Sequence, residues 1–274
     1  HAGLIFGNAA RAFTQALGIG KADVPFDSAS RPYAQALARF SSAFGLCADA
    51  AMTTLGGELK MRELISARLG DMLANLYLAS MVLKNWYETQ PVDGEKELMQ
   101  YSMTLLLHRT EKALDEFLKN LPNRPAAMAL RAVTLPLGRR WAEPGDELTR
   151  KLANSISTDT PVRSKLTESA WTTAGEGGVA NPLAQYNSLL KDYGKAEQLY
   201  RKATKAYAKG ELPMTALHPE ERFEAALEAG IFSQEEADFM REYEALVLEM
   251  LTVDDFPFDE FARNKDTLID HNPA

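Results

Sequence analysis

A single cysteine, Cys47, stands among the 274 residues. No intramolecular disulfide can form, and no cysteine framework points to secretion. Histidine is equally scarce: His1, His108, His218 and His271 lie far apart and never in the H-x-x-x-H spacing of a helical zinc pair. No apolar run approaches the ~18 to 20 residues that a bilayer-spanning helix requires. The N-terminus has no basic head before an apolar stretch, so it does not read as a signal peptide. Positive charge is in deficit, with a net charge of -8 and a pI near 5.2, which argues against non-specific binding to nucleic acid. Phosphate-binding glycine motifs are missing as well; "GIGKAD" at 18–23 has neither the preceding strand nor the spacing of a P-loop. No segment of more than a few residues alternates as a half-buried strand does. Internal repeats and low-complexity tracts are absent.

What is present is helical pattern. Hydrophobic residues make up 46% and charged residues 25%, enough for a sizeable core in one large domain or two modest ones. "HAGLIFGNAARAFTQAL" at 1–17 reads as helix from its first residue, with nothing ahead of it to serve as a cap. The expectation is a fragment of a longer polypeptide, the alternatives being a trimmed tag or a processed terminus. "GIGKADVPFDSAS" breaks the pattern. A helix is expected after Ser30, which is placed to cap it, with Pro32 in the first turn. Its many small residues, from Ala34 to Ala51, suit close helix packing. After Gly56 and Gly57, a period of 3.6 runs from Leu59 through Leu64, Ile65, Leu69, Met72, Leu73, Leu76, Leu83 and Tyr87. Helices are expected over 95–121 and 125–137, the latter ended by Pro136. Long helices with short connectors imply an antiparallel bundle.

The second half is more irregular. A short helix is expected after Pro144–Gly145, then a Thr-, Ser- and Gly-rich stretch that Leu166 and Trp171 anchor. Helix resumes at Leu183 and runs to about Ala208, with Gly194 as its weak point. Gly230 is expected to stop one helix, and Ser233 with Glu236 to form a capping box for the next. Phe256, Phe258 and Phe261 in the tail are expected to dock on the body. The fold class is therefore all-α: an antiparallel helical bundle over 1–138, then a C-terminal helical extension over 139–274 with an irregular loop at 157–182.

Chemistry is sparse. Cys47 sits among small residues as a buried thiol would, with no base to activate it. His108 lies in an apolar helix and suits a core or interface role better than catalysis. Glu58, Glu63 and Asp71 share one helix. Arg68 and Asp71 are three residues apart and can pair, as an interhelical anchor or as a contact to a neighbouring domain or ligand. Arg131, Arg139 and Arg140 cluster near Trp141. That group suits structural pairing with the abundant glutamates, or contact with anionic lipid, a phosphate-bearing ligand or an acidic partner. "AGEGG" at 174–178 reads as a loop.

"LGGELKMRELISARLGDMLANLYLASMVLK" at 55–84 resembles the C-terminal region of the long bacterial fatty acyl-CoA dehydrogenases. "FLKNLPNRPAAMALRAVTLPLGRRW" at 117–141, "NPLAQYNSLL" at 181–190 and "VDDF" at 253–256 carry the same resemblance. It implies a helical extension that follows a flavin-dependent fold. The implied reaction of the parent enzyme, within fatty acid β-oxidation, begins when a glutamate removes the α proton of a fatty acyl-CoA. The β hydrogen leaves as hydride to flavin N5, and trans-2-enoyl-CoA results. Electrons pass to an electron-transfer flavoprotein. The family's catalytic glutamate lies upstream in a Val-Glu-Gly-Ala-Asn-like setting that this chain lacks, and Glu58 in "GGELK" does not match it. The segment is therefore expected to be inactive alone, with no catalytic, cofactor-binding or metal-ligating residue. FAD belongs to the parent, and the upstream flavin-binding domains of the same polypeptide are the expected partner. A homo-oligomer and a membrane surface stay open as further partners. The implied location is the cytoplasmic side of a bacterial cell, with peripheral association with the inner membrane open. The alternative is an independent all-α interaction or membrane-docking module without enzymatic activity. A third reading places an acyl chain in a slot between helices 31–54 and 59–88.

Overall fold

The computed structural model describes residues 2–19, 27–170, 180–216 and 218–251. All ten α-helices among them are read in chain order as α1 (Ala2–Ala16), α2 (Arg31–Leu55), α3 (Glu63–Glu88), α4 (Glu95–Asn120), α5 (Arg124–Thr134), α6 (Asp146–Ser157), α7 (Pro161–Thr167), α8 (Ala180–Ala208), α9 (Pro219–Glu228) and α10 (Gln234–Leu251). No strand occurs among the described residues, so the all-α expectation holds. The chain forms two compact units: His1–Ile156 with Thr160–Lys165, and Ser157–Asp159 with Leu166–Ala274.

In the first unit, α3 and α4 pack along each other, α2 crosses α3, α4 and α5, and α1 lies on α2 and α5. The core is supplied by one stripe of each helix: Phe40, Ala43, Cys47 and Ala51 from α2, Ile65, Met72, Leu76, Ala79 and Leu83 from α3, and Met99, Met103, Leu107, Leu114 and Phe117 from α4. Their spacings of three, four and seven keep each stripe on one face. Small residues on α2 do allow close approach. A Cβ added at Gly45 would meet Asn8 Nδ2 of α1 at 2.9 Å.

Local chemistry departs from the sequence reading in several places. Ser30 is the residue before α2 and Pro32 stands in its first turn, but the Ser30 hydroxyl caps nothing. It donates to Asp27 Oδ1 at 2.6 Å, and Asp27 also takes the Ser30 N–H at 2.8 Å and the Trp86 indole at 3.1 Å; the Ser30 backbone, at φ −98° and ψ −22°, lacks the extended geometry that a side-chain cap needs. The helical period beginning at Leu59 is first wound as a 3₁₀ stretch, Gly56–Met61, after Gly56 turns the chain at φ +52°. The apolar list on α3 splits in two: Ile65, Met72, Leu76 and Leu83 are buried, whereas Leu64, Leu73 and Tyr87 face out. The stretch expected to be irregular contains α7, and Leu166 on it is exposed rather than anchoring. Trp171, the 174–178 loop and Phe256, Phe258 and Phe261 lie outside the described residues.

In the second unit, α8 starts at Ala180, not Leu183, and continues through Gly194 to Ala208. It packs with α9 and α10 around Leu199, Ala203, Phe223, Phe232 and Met240. The Phe223 and Phe232 rings stack at 6.1 Å. Gly230 ends the α9 region at φ +72°, and the Ser233–Glu236 capping box forms as expected, with reciprocal bonds of 3.0 and 3.2 Å.

Gly94, just before α4, adopts φ +86°, and a Cβ there would lie 3.0 Å from Val162 and 3.2 Å from Ser155. Both the left-handed backbone and the crowding oppose a side chain. Gly94→Ala is expected to destabilise the chain by more than ~1 kcal/mol. Gly57→Ala, with open space around it and no positive φ, serves as the control. Denaturant unfolding of the two variants checks the difference.

Candidate functional site

Four polar side chains along α4 tie down the rest of the first unit. At its start, Glu95, almost wholly buried, takes the Lys165 ammonium of α7 at 2.7 and 2.8 Å, and its Oε2 also accepts the Val92 N–H at 3.0 Å. At the middle of the helix, His108 Nδ1 donates to the Trp141 carbonyl at 2.9 Å, and Nε2 lies 3.6 Å from Glu143. With the Nδ1 proton committed to that carbonyl, Arg139 Nη2, 3.5 Å from the same nitrogen, is a neighbour and not a donor to it. Glu111 is fully buried, and its Oε2 accepts the backbone N–H groups of both Arg140 and Trp141 at 2.8 Å. Near the end, Asp115 holds Lys119 at 2.7 Å and Arg131 of α5 at 2.5 Å.

The consequence is a fixed segment at 140–141. Both backbone groups of Trp141 are held by α4, and its ring sits 5.8 Å from Tyr33. Arg140 reaches the Ala16 carbonyl at 3.4 Å. Opposite lies Arg39 on α2, only 7% exposed. Its Nη2 donates to the Thr134 carbonyl at 2.9 Å, its guanidinium lies over the Phe40 ring, and its Nε has no partner. Burial lowers the Arg39 pKa; Glu111 opposes that and Arg140 adds to it. A cavity of about 330 Å³ opens here, lined by Gln15, Pro32, Gln35, Arg39, Arg140 and Trp141 among others. Gln15 Oε1 is a second orphaned buried atom on its wall.

The residues singled out from sequence distribute differently. Arg68 and Asp71 do not pair. Arg68 extends across to Glu116 of α4 at 3.9 Å and donates to the Leu64 carbonyl, so it bridges helices instead of bonding along its own. Glu58 pairs with Arg62 at the surface. Arg131, Arg139 and Arg140 do not converge: the first is taken by Asp115, the second lies by His108 and the third borders the cavity. Cys47 is inside the core, where desolvation pushes its thiol up to about 12. Sequence reasoning passed over Arg39, Glu95 and Glu111. Glu111 shares the apolar phase of Leu107 and Leu114, which marks it as inward-facing, but its backbone partners carry no sequence signal.

Two apolar stripes are left uncovered. On α3, Leu73, Tyr77 and Met81 are spaced by four and are 53%, 62% and 39% exposed. Leu78 lies beside them, also exposed. On α1, Phe6 and Phe13 share a face and are exposed, and Leu17, just past the helix end, is exposed as well. Isolated surface apolar residues need no explanation, whereas aligned ones on neighbouring turns mark a surface made for contact.

Two outcomes are expected. Cys47 should resist alkylation in the folded chain and react fully in denaturant, as mass spectrometry of iodoacetamide-treated samples would show. Desolvation raises the Asp115 pKa, but hydrogen bonds and charges from Lys119 and Arg131 outweigh it, so the carboxyl titrates below its ordinary value of 3.8. A depressed native pKa adds stability above the unfolded value and loses it as pH falls through that value toward the native one. Asp115→Asn should therefore destabilise at neutral pH, and its deficit against the parent should shrink below about pH 4 in denaturant titrations.

Among the described residues no group of three or more His, Cys, Asp or Glu is placed to hold a metal ion. No described helix is long and apolar enough to cross a membrane. No solved structure matches the chain. Residues 1–256 match the family described as acyl-CoA dehydrogenase, C-terminal, bacterial type, and cover most of the 274. The helices built around α4, with their polar fastenings and two uncovered apolar stripes, belong to the C-terminal region of the bacterial-type acyl-CoA dehydrogenases.

Proposed function

We propose that this chain is the non-catalytic C-terminal segment of an FAD-dependent enzyme that oxidises long-chain fatty acyl-CoA to trans-2-enoyl-CoA in β-oxidation. The observation that carries the reading is the family match over residues 1–256. The segment's task is mechanical: it packs its bundle against the flavin-binding domains upstream in the same polypeptide. The exposed stripes of α1 and α3 support that role, since they offer ordered apolar surface on two helices whose opposite faces are already buried.

The base, the flavin and the contact with an electron-transfer flavoprotein are assigned to the rest of the polypeptide. The slot for an acyl chain between α2 and α3 finds little support, because Cys47, Ala51, Met72 and Leu76, which would line it, are members of the packed core.

The test compares the 274-residue chain with the longer polypeptide that contains it. The longer polypeptide should purify with FAD absorbance and reduce an artificial electron acceptor with palmitoyl-CoA, and the chain alone should do neither. Placing Leu73→Glu and Tyr77→Glu together should leave the melting temperature of the isolated chain within a few degrees, as exposed substitutions do. In the longer polypeptide the same pair should lower flavin retention and turnover. A longer polypeptide without flavin or without acyl-CoA oxidation overturns the enzymatic reading. Unchanged flavin retention and turnover in the double variant overturns the docking role.

A further inference from the structure

The cavity beside Arg39 has no part in the reading above, and its lining is unlike that of an accidental gap. A guanidinium is buried at its wall with one donor unused, although its Nη2 is already tied to the Thr134 carbonyl. Burying an arginine is unfavourable unless its charge is answered. Glu111, the carboxylate whose charge acts on Arg39, makes no hydrogen bond to it: its Oε2 takes two backbone N–H groups at 2.8 Å, and its Oε1 makes no hydrogen bond. A second guanidinium, Arg140, borders the same cavity, and the two positive groups work against each other across it. Arg140 is held at the rim because α4 clamps the backbone on both sides of the Arg140–Trp141 peptide. Two arginines facing one cavity are repulsive when nothing lies between them and cooperative when an anion does.

The remaining lining narrows the ligand. Ile19, Pro32, Ala36 and Trp141 provide an apolar wall, and Gln15 and Gln35 complete the lining. A site with two cations and an apolar wall suits a small organic anion. Its acidic end meets the arginines, and its flat or apolar body lies along Trp141.

We propose that the cavity formed by Gln15, Pro32, Arg39, Arg140 and Trp141 is a binding site for a small organic phosphate or carboxylate. It is independent of the family reading and uses none of the apolar stripes on α1 or α3.

Phenyl phosphate is the probe, titrated calorimetrically into the 274-residue chain. Inorganic phosphate and benzoate separate the contributions of charge and body, and phenol is the uncharged control. Phenyl phosphate should bind with saturation and raise the melting temperature, inorganic phosphate and benzoate should bind more weakly, and phenol should not bind. Arg140→Gln, exposed and outside the core, should weaken phenyl phosphate at least ~10-fold while leaving the unliganded melting temperature near that of the parent. Arg39→Lys keeps a charge but loses the planar fork of guanidinium donors, and should weaken it as well. Tighter binding of benzoate than of phenyl phosphate would still support the site and assign it to carboxylates. No saturable binding of any anion at millimolar concentration overturns the proposal. Binding that is unchanged in Arg140→Gln overturns it too, because the anion then sits elsewhere.

Discussion

The first unit is organised around α4. Its apolar stripe lies along α3 and supplies the middle of the core, and five of its polar residues hold other pieces of chain. Glu95 holds α7, His108 and Glu111 hold the 140–141 segment, Asp115 holds α5 and Glu116 holds Arg68 of α3. Burial of apolar area provides the non-directional drive, and it would tolerate some sliding of helix on helix. The buried carboxylates do not tolerate it, since each displaced by a turn would lose its hydrogen-bond partners in a low-dielectric setting, backbone amides for Glu111 and cations for Glu95 and Asp115. Packing thus joins the elements and the acidic residues of α4 set their register.

This arrangement explains how a chain with so little catalytic equipment can still be strongly patterned. Its buried polar groups act on its own backbone and side chains, as in the Glu111 bonds to two amides and the Glu95 pair with Lys165. The exceptions among the described residues are one donor, Arg39 Nε, and two acceptors, Gln15 Oε1 and Glu111 Oε1, and Arg39 and Gln15 border one cavity. The apolar stripes on α1 and α3 are the other open feature, and they act through area instead of charge.

Much of this could be read from residue order. The 3.6-residue period announced α3 and α4, Pro136 and Gly230 marked stops, and Ser233 with Glu236 marked a start. Ser30 misled because a side-chain cap needs extended backbone at the cap residue, and Ser30 sits at φ −98° and ψ −22° with its hydroxyl donated to Asp27. Arg68 misled for a related reason. Spacing lists the partners available on one helix, and Glu116 on the next helix is invisible to it. Among the α3 apolar residues, period shows that a helix is amphipathic or apolar all round, but not which of two apolar faces receives a neighbour. Leu73 and Leu76 are alike in chemistry, and one is exposed while the other is buried.

The sequence by itself determined the helical class, the rough bounds of the long helices and the family, because these depend on local period, breakers and a long specific run of neighbours. Only the tertiary structure decided the rest. It brought Arg39, Arg140 and Gln15, drawn from three separated stretches, around one cavity. It turned Glu111 toward backbone amides that have no residue identity to read. It chose which face of α3 is left uncovered. The physical reason is common to all three: hydrogen bonds and burial act through space, and their strength depends on distances that chain order does not record.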